Sequence, residues 1–311
     1  MKNEMVSFII PTHNSEKTVE KCINSVVEQK AIKEVIVVDD GSVDGTERIL
    51  RSFGGRIKYI KKGRGGAASA RNAGLEKASG SYVAFVDSDV VLPANWTEKA
   101  LALLRAKHVA AVGGPGVSPE KTAVSESLNS LLYGIGNNIK SRHVDSLATM
   151  NAIYKRLAIG DERFDEEFEG AAGEDPEFNL RMRKKGYSLV FHRDLKVLHD
   201  HPTTFRGLLG KWYRYGKNYP LLCSKHRCFR DRKYYASVLF MPLFILFLLL
   251  SSVSVYFVSV PVLQVLVLYA LYVRRGLEIS DRPNILVFSF IHTMKQLAQL
   301  FGTMVGLRKV L

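Results

Sequence analysis

Tyr82-Val83-Ala84-Phe85-Val86-Asp87-Ser88-Asp89 is an apolar run that stops on two carboxylates. A short apolar run bounded by polar residues reads as a buried strand. In extended chain, residues i and i+2 point to the same side, so Asp87 and Asp89 can reach one hard cation. Mg2+ or Mn2+ suits carboxylate and phosphate oxygens together. A lone Asp-x-Asp pair is also what a solvated turn looks like, so the flanking sequence has to decide.

Toward the N-terminus the pattern repeats. Val6 to Ile10 is an apolar run ended by Pro11, and Asn14 and Ser15 then offer helix-cap side chains. Val19, Cys22, Ile23, Val26 and Val27 follow at helical spacing. Glu34 to Val38 is a second buried strand, ending in Asp39, Asp40 and Gly41; Asp44 and Glu47 then have capping-box spacing. Ile57 to Ile60 reads as a third strand, Gly63 to Gly66 as a basic glycine-rich loop, and Ala67 to Ala78 as a helix. Beyond Asp89 a helix starts near Pro93, and Val109 to Val112 returns as a strand. Strands alternating with helices predict an α/β fold, a mostly parallel sheet flanked by helices. Ligands bind such sheets at the carboxyl ends of the strands. Pro11, Asp39, Asp40, Asp87 and Asp89 all fall there.

Residues 115 to 150 are less regular. The acidic segment Asp161 to Glu177 leads into an amphipathic helix to about Lys185 and a strand from Ser188 to Phe191. Within it, Glu174 and Asp175 precede Pro176. Asp175 reads either as a helix N-cap with a first-turn proline or as a carboxylate available to a substrate.

The formal net charge is +14, and its placement narrows what it means. Nine basic residues and one acid lie between Arg206 and Lys233, just ahead of Val238 to Val273, a stretch of 36 residues without a charge. A basic collar beside an apolar segment fits an anionic membrane surface better than nucleic acid. Two helices with a turn near Ser259 to Pro261 would form a transmembrane hairpin with both ends in the cytoplasm, flanked by Arg274, Arg275 and Arg282. One long tilted span is the competing reading. From Asn284 to Leu311, Val287, Phe290, Ile291, Met294, Leu297, Phe301, Met304 and Val305 make one stripe, which predicts an amphipathic helix lying in the interface. Three cysteines, Cys22, Cys223 and Cys228, supply no disulfide framework. The N-terminus runs straight into a strand-like segment, so the catalytic part is expected on the cytoplasmic side. The expected divisions are a domain over residues 1–220, a basic linker over 221–237, the hairpin over 238–273 and the interfacial helix over 284–311.

Taken together, Val6 to Asn14, the Val37-Val38-Asp39-Asp40-Gly41-Ser42 run with Asp44-Gly45-Thr46, Ala70-Arg71-Asn72-Ala73-Gly74 and Asp87-Ser88-Asp89 resemble the family 2 inverting glycosyltransferases in order and spacing. The resemblance covers roughly residues 5 to 220. It implies a GT-A (Rossmann-like) fold and a nucleotide-sugar donor, UDP-linked in the first instance. It also implies that Pro11 and Thr12 pass under the nucleotide, that Asp40 accepts a hydrogen bond from the base, and that Arg71 approaches the base or phosphate. Asp87 would approach the ribose and metal, and Asp89 would bind Mn2+ or Mg2+ directly. The general base would be Asp175, with Glu174 as the alternative. A late histidine would complete the metal site, His199 ahead of His201. Lys211-Trp212-Tyr213-Arg214-Tyr215 stands where processive members carry Gln-x-x-Arg-Trp. That departure argues against chain polymerisation, though Trp212 and Arg214 could line an acceptor site. An interfacial helix with basic and aromatic residues is the other reading of that segment.

The expected activity is transfer of one sugar to a hydroxyl of a lipid-linked or membrane-proximal glycan, with membrane lipids as partners. A polyprenyl phosphate is the alternative acceptor, but it is already anionic and hardly needs a base. A processive polysaccharide synthase comes third.

Overall fold

The computed structural model describes residues 4–134, 141–168, 170, 172–200, 202–226, 232–277 and 284–310. The chain divides into two compact units, Met1–Pro119 with Asn138–Asp200, and Glu120–Asn137 with His201–Leu311.

The first unit is built on β1 (Val6–Thr12), α1 (Val19–Val27), β2 (Lys33–Asp40), α2 (Thr46–Ser52), β3 (Lys58–Lys62), α3 (Gly66–Lys77) and β4 (Tyr82–Val86). There follow β5 (Val90–Val91), α4 (Trp96–Leu104), β6 (Val109–Gly113) and β7 (Gly116–Val117). After α5 (Ala123–Gly134), which belongs to the second unit, come β8 (Ser141–Val144), β9 (Asn151–Lys155), α6 (Arg156–Ile159), α7 (Glu174–Lys184), β10 (Ser188–His192) and β11 (Val197–His199).

Eight strands form one sheet in the order β3-β2-β1-β4-β9-β6-β10-β8. β3, β2, β1 and β4 run parallel, as does the β6–β10 pair. The sheet is nevertheless mixed. β9 lies antiparallel between β4 and β6, and β8 is antiparallel to β10. β9 and β8 are the two antiparallel exceptions to the mostly parallel sheet expected above. β5, β11 and β7 make a small second sheet beside the end of β4.

Apolar side chains alternate across the main sheet and bury both faces. Phe8, Ile10, Val35, Val37 and Ala84 pack with Cys22, Leu50 and Trp96 on one side. Ile9, Ile36, Val38, Phe85 and Tyr154 pack with Leu75, Phe164, Phe178 and Met182 on the other. α3 approaches β1 closely at Gly74, where an added Cβ would stand 2.4 Å from Ile9 Cγ2.

The second unit is helical. α5 joins α8 (Phe205–His226), α9 (Arg232–Leu250), α10 (Ser259–Leu277) and α11 (Ile285–Gly306). α8 therefore groups with the C-terminal helices, not with the sheet as a boundary at 220 would have it. The reason is backbone-to-backbone packing of α8 on α11. A Cβ on Gly216, Gly302 or Gly306 would lie 1.9, 2.1 and 2.1 Å from a carbonyl oxygen of the facing helix.

Two features of the C-terminal region differ from expectation. The chain turns after Leu250, not at Ser259–Pro261. There the Ser251 and Ser252 hydroxyls donate back to the Leu248 and Leu249 carbonyls, closing α9. Pro261 sits in the first turn of α10, where its missing N–H costs little. Among the described residues, one helical stretch, Tyr256–Leu277, is long and apolar enough to cross a membrane, with mean hydropathy 2.0. α11 does not lie apart as an interfacial helix. It packs on α5, α8, α9 and α10 and buries Phe288, Ile291, His292, Lys295 and Thr303. Val287, Phe290 and Phe301 of the expected apolar stripe remain exposed, as does Leu286 beside it.

Candidate active site

The carboxyl ends of β1, β2 and β4 lie side by side, with Pro11 paired to Val38 and Thr12 to Asp39. Two loops interlock above them. Asn14, in the left-handed region at φ 50°, accepts from the Val43 N–H and donates its own N–H to Ser42 Oγ. The Ser15 and Gly45 amides donate to Thr46 Oγ1 and Glu16 Oε2. Thr12 is buried at the end of β1, below this collar.

Asp40 is 2% exposed, and its carboxylate is heavily engaged. Lys62 Nζ and the Gly65 N–H donate to Oδ1 at 2.8 Å each. Arg64 Nη1 and the Gly66 N–H donate to Oδ2 at 3.1 and 2.7 Å. Asp40 thereby fixes the basic glycine-rich loop that opens α3. The loop was visible in sequence; its closure on Asp40 was not.

Arg71, carried by α3, is the hub of the site. It is 2% exposed, and its Nη2 donates to Asp87 Oδ1 and its Nη1 to Glu174 Oε1, both at 2.9 Å. Asp175 Oδ1 lies 3.7 Å from Nη1. A buried guanidinium among three carboxylates stays charged; despite burial, Asp87, Asp175 and Glu174 raise its pKa. Burial pushes the Asp87 carboxyl up, against the pull of Arg71, with Asp89 and Asp175 adding to the rise. Burial and the Asp175 charge push Glu174 up to about 7, with Arg71 opposing. Asp87, Glu174 and Asp175 thus crowd one buried guanidinium, whose charge offsets theirs.

The cap reading of Asp175 fails. Gly173, at φ 106°, occupies the N-cap position of α7, where no side chain makes a capping bond. Asp175 turns instead to Thr149, whose N–H donates to Oδ2 at 3.0 Å and whose Oγ1 donates to Oδ1 at 2.5 Å. Nothing in the sequence pointed to Thr149, because its partner is 26 residues away across an irregular segment.

His199 ends β11, which pairs with β5 directly after Asp89. Its Nε2 lies 3.5 Å from Asp89 Oδ2. Among the described residues, no three His, Cys, Asp or Glu side chains are grouped to hold a metal ion by themselves. Asp89 and His199 with Asp87 alongside still fit Mg2+ or Mn2+, which characteristically complete their shell with phosphate oxygens and water. Cys22 donates its thiol to the Asp87 carbonyl at 3.3 Å and is too buried to act as a ligand. His201 lies outside the described residues. Trp212 and Arg214 lie on α8 in the second unit, where Lys295 Nζ stands 4.1 Å over the Trp212 ring.

The glycosyl transferase family 2 model matches residues 7–161. Glycosyltransferase AglE of Haloferax volcanii is 33% identical over 224 residues, 68% of this chain and 72% of that protein. UDP-Glc:alpha-D-GlcNAc-diphosphoundecaprenol beta-1,3-glucosyltransferase WfgD of Escherichia coli is 33% identical over 151 residues, but the match spans only 44% of this chain and 59% of WfgD. Among solved structures, mannosyltransferase PcManGT from Pyrobaculum calidifontis in complex with GDP-Man and Mn2+ superposes with a TM-score of 0.55 at 22% identity, over 73% of this chain and 64% of that one. S. aureus TarS 1-349 in complex with UDP does so at 0.50 and 18% identity, over 98% of this chain and 92% of that one. At such identities the structures speak for the GT-A-like fold alone. With the carboxylates gathered at the strand ends and the length of the AglE match, the chain belongs to glycosyl transferase family 2 and is a glycosyltransferase.

Proposed function

We propose that this protein transfers a single sugar from a nucleotide-sugar, UDP-linked in the first instance, to a hydroxyl of a lipid-linked or membrane-proximal glycan, inverting the anomeric centre. The observation that carries the reading is Asp175. It is not used as a helix cap and is aimed by Thr149, in the same Arg71-centred network as Asp87.

Asp175 takes the proton of the acceptor hydroxyl while that oxygen attacks the anomeric carbon. The bond to the leaving diphosphate breaks on the opposite face, so one displacement inverts configuration. A positioned base is worth about 100- to 10,000-fold. Asp89 and His199, with Asp87, would hold Mg2+ or Mn2+, which supplies neutralisation of the departing diphosphate. Pro11 and Thr12 form the floor under the nucleotide. Arg71 keeps Asp87 and the Glu174–Asp175 pair in fixed relation.

A membrane setting is supported by the helical unit. Leu249, Val253, Tyr256, Leu263, Leu266 and Leu286 are large, apolar and exposed, more than a soluble surface carries without a partner. The basic residues of α8 support a position against anionic headgroups on the cytoplasmic side. Trp212 and Arg214 belong to the acceptor side in this reading. A hydroxyl acceptor is favoured over a lipid phosphate because a phosphate would leave a base idle, and WfgD is named for a diphosphoundecaprenol-linked sugar acceptor.

The test is a screen of UDP- and GDP-sugars with Mn2+ and a membrane lipid extract, with products identified by mass spectrometry. A sugar added to a lipid-linked glycan is expected. Transfer to a lipid phosphate would replace the acceptor assignment, and consumption of no donor would remove the reading.

A further inference from the structure

Asp175 is held by a residue on the far side of the site, and that residue is itself held by the metal-side strand. Thr149 is fully buried. The next residue's carbonyl, Met150 O, accepts from the Asp87 N–H at 3.4 Å, and Asn151 opens β9 opposite Val86 of β4. Asn151 is pinned in turn. Its Oδ1 accepts from Trp96 Nε1 at 2.8 Å and its Nδ2 donates to Leu195 O at 2.7 Å. The first turn of α7 is tied to the same frame by Asn179, whose Nδ2 donates to Asp175 O at 2.7 Å and to Leu147 O at 2.8 Å. Tyr154 of β9 donates its hydroxyl to Asn179 Oδ1 at 2.9 Å.

We infer that Thr149 is the positioning residue of the general base, a two-point clamp that sets the plane of the Asp175 carboxylate relative to Asp87. The inference rests on the proposed role of Asp175. Each carboxylate oxygen receives one hydrogen bond from Thr149, the N–H on Oδ2 and the hydroxyl on Oδ1. Two donors on two oxygens stop rotation about the last side-chain bond. A carboxylate has about four acceptor positions, so two stay available to an incoming hydroxyl. Asp175 keeps 22% of its side chain exposed, an opening for that hydroxyl. β4 delivers Asp87, and antiparallel β9, one residue after Met150, delivers the clamp. The relation between Asp87 and Asp175 is thus set by a two-residue turn that the Asp87 N–H to Met150 O bond fastens to the strand ladder. This gives the inserted β9 a functional reason to lie where it does.

The test compares Thr149→Val and Thr149→Ser in the full chain, with the donor and acceptor pair found by the screen above. Valine keeps the branched shape and the N–H but loses the hydroxyl. A misplaced catalytic group costs on the order of 100-fold, so kcat for Thr149→Val should fall about 10- to 100-fold. Donor KM and UDP affinity should stay at the wild-type level, and Thr149→Ser should recover most of the rate. Should the valine variant fail to fold, Thr149→Ala removes the same hydroxyl with no polar group left to bury. A valine or alanine variant with wild-type kcat overturns the inference. So does a serine variant as slow as valine, or a loss of UDP affinity matching the loss of rate. Failure of the wild-type protein to transfer any sugar would instead strike the proposed function.

Discussion

Replacing Glu174 by Gln removes a carboxyl buried beside Arg71 and Asp175, and the pH dependence of stability should report the change. Glu174 is 2% exposed, and only its Oε1 faces the guanidinium, at 2.9 Å. Burial, reinforced by the Asp175 charge and opposed by Arg71, moves its pKa from 4.5 to about 7. At about 1.36 kcal/mol per pH unit, that rise is worth about 3 kcal/mol. The folded state holds this proton more tightly than the unfolded chain does. The stabilisation is therefore complete below pH 4.5 and is lost as the pH climbs through about 7. Glutamine is neutral throughout, and its amide oxygen can still accept from Arg71. Glu174→Gln should thus gain about 3 kcal/mol on the wild type between pH 4 and pH 8. The measurement is guanidinium unfolding of the full chain in mild detergent, followed by Trp96 emission in a Trp212→Phe background. A difference between the two proteins that is flat across this range would refute the argument. So would a variant that loses ground as the pH rises.

Asp175→Asn should lower transfer by about 100- to 10,000-fold while leaving UDP binding intact; near-normal product formation would remove Asp175 as the base. Chelation with EDTA should abolish transfer, Mn2+ or Mg2+ should restore it, and Asp89→Asn should need far more metal for the same rate. Full activity in EDTA would exclude the ion. Gly302→Ala should destabilise the helical unit by about 1–3 kcal/mol or more, because its Cβ would lie 2.1 Å from Tyr213 O, a backbone atom that cannot turn aside. Gly210→Ala, whose nearest neighbour is Arg214 Nη1 at 3.7 Å, is the control, and equal unfolding midpoints for the two would refute the close-packing account.

The parallel half of the fold is written in runs such as Phe8-Ile9-Ile10 and Val35-Ile36-Val37-Val38, where burial on both faces leaves an uninterrupted apolar signature. β9 carries an equally short run, but nothing in it marks its direction. Asn151-Ala152-Ile153-Tyr154-Lys155 has three apolar residues in a row, and its antiparallel place depends on neighbours more than thirty residues away. The Asp87–Asp89 pair and the Glu174–Asp175 pair were legible because carboxylates beside a strand end or a proline are conspicuous. Their linkage through Arg71 was not, since α3 had first to be laid on the sheet. Asp175 ahead of Pro176 imitates a capping residue, and only the positive φ of Gly173 shows the cap falling two residues earlier. At the other end of the chain, charge-free sequence located the apolar helices but not their turn, which three closely spaced serines and a proline could place in either of two positions.

The strand order also has a consequence for synthesis. β4 is complete at residue 86 and β6 at residue 113, yet β9, the strand that lies between them, begins only at residue 151. Until then β4 and β6 each present an open row of amides and carbonyls. Even at residue 161, where the match to the family model ends, β6 still lacks β10 on its outer side. A nascent chain paused there would carry a bare apolar edge of the kind that recruits other strands. The sheet can be finished only after the ribosome has passed residue 192, so the strand ends that carry Thr12 and Asp87 wait in an unfinished sheet while α7 is still being made.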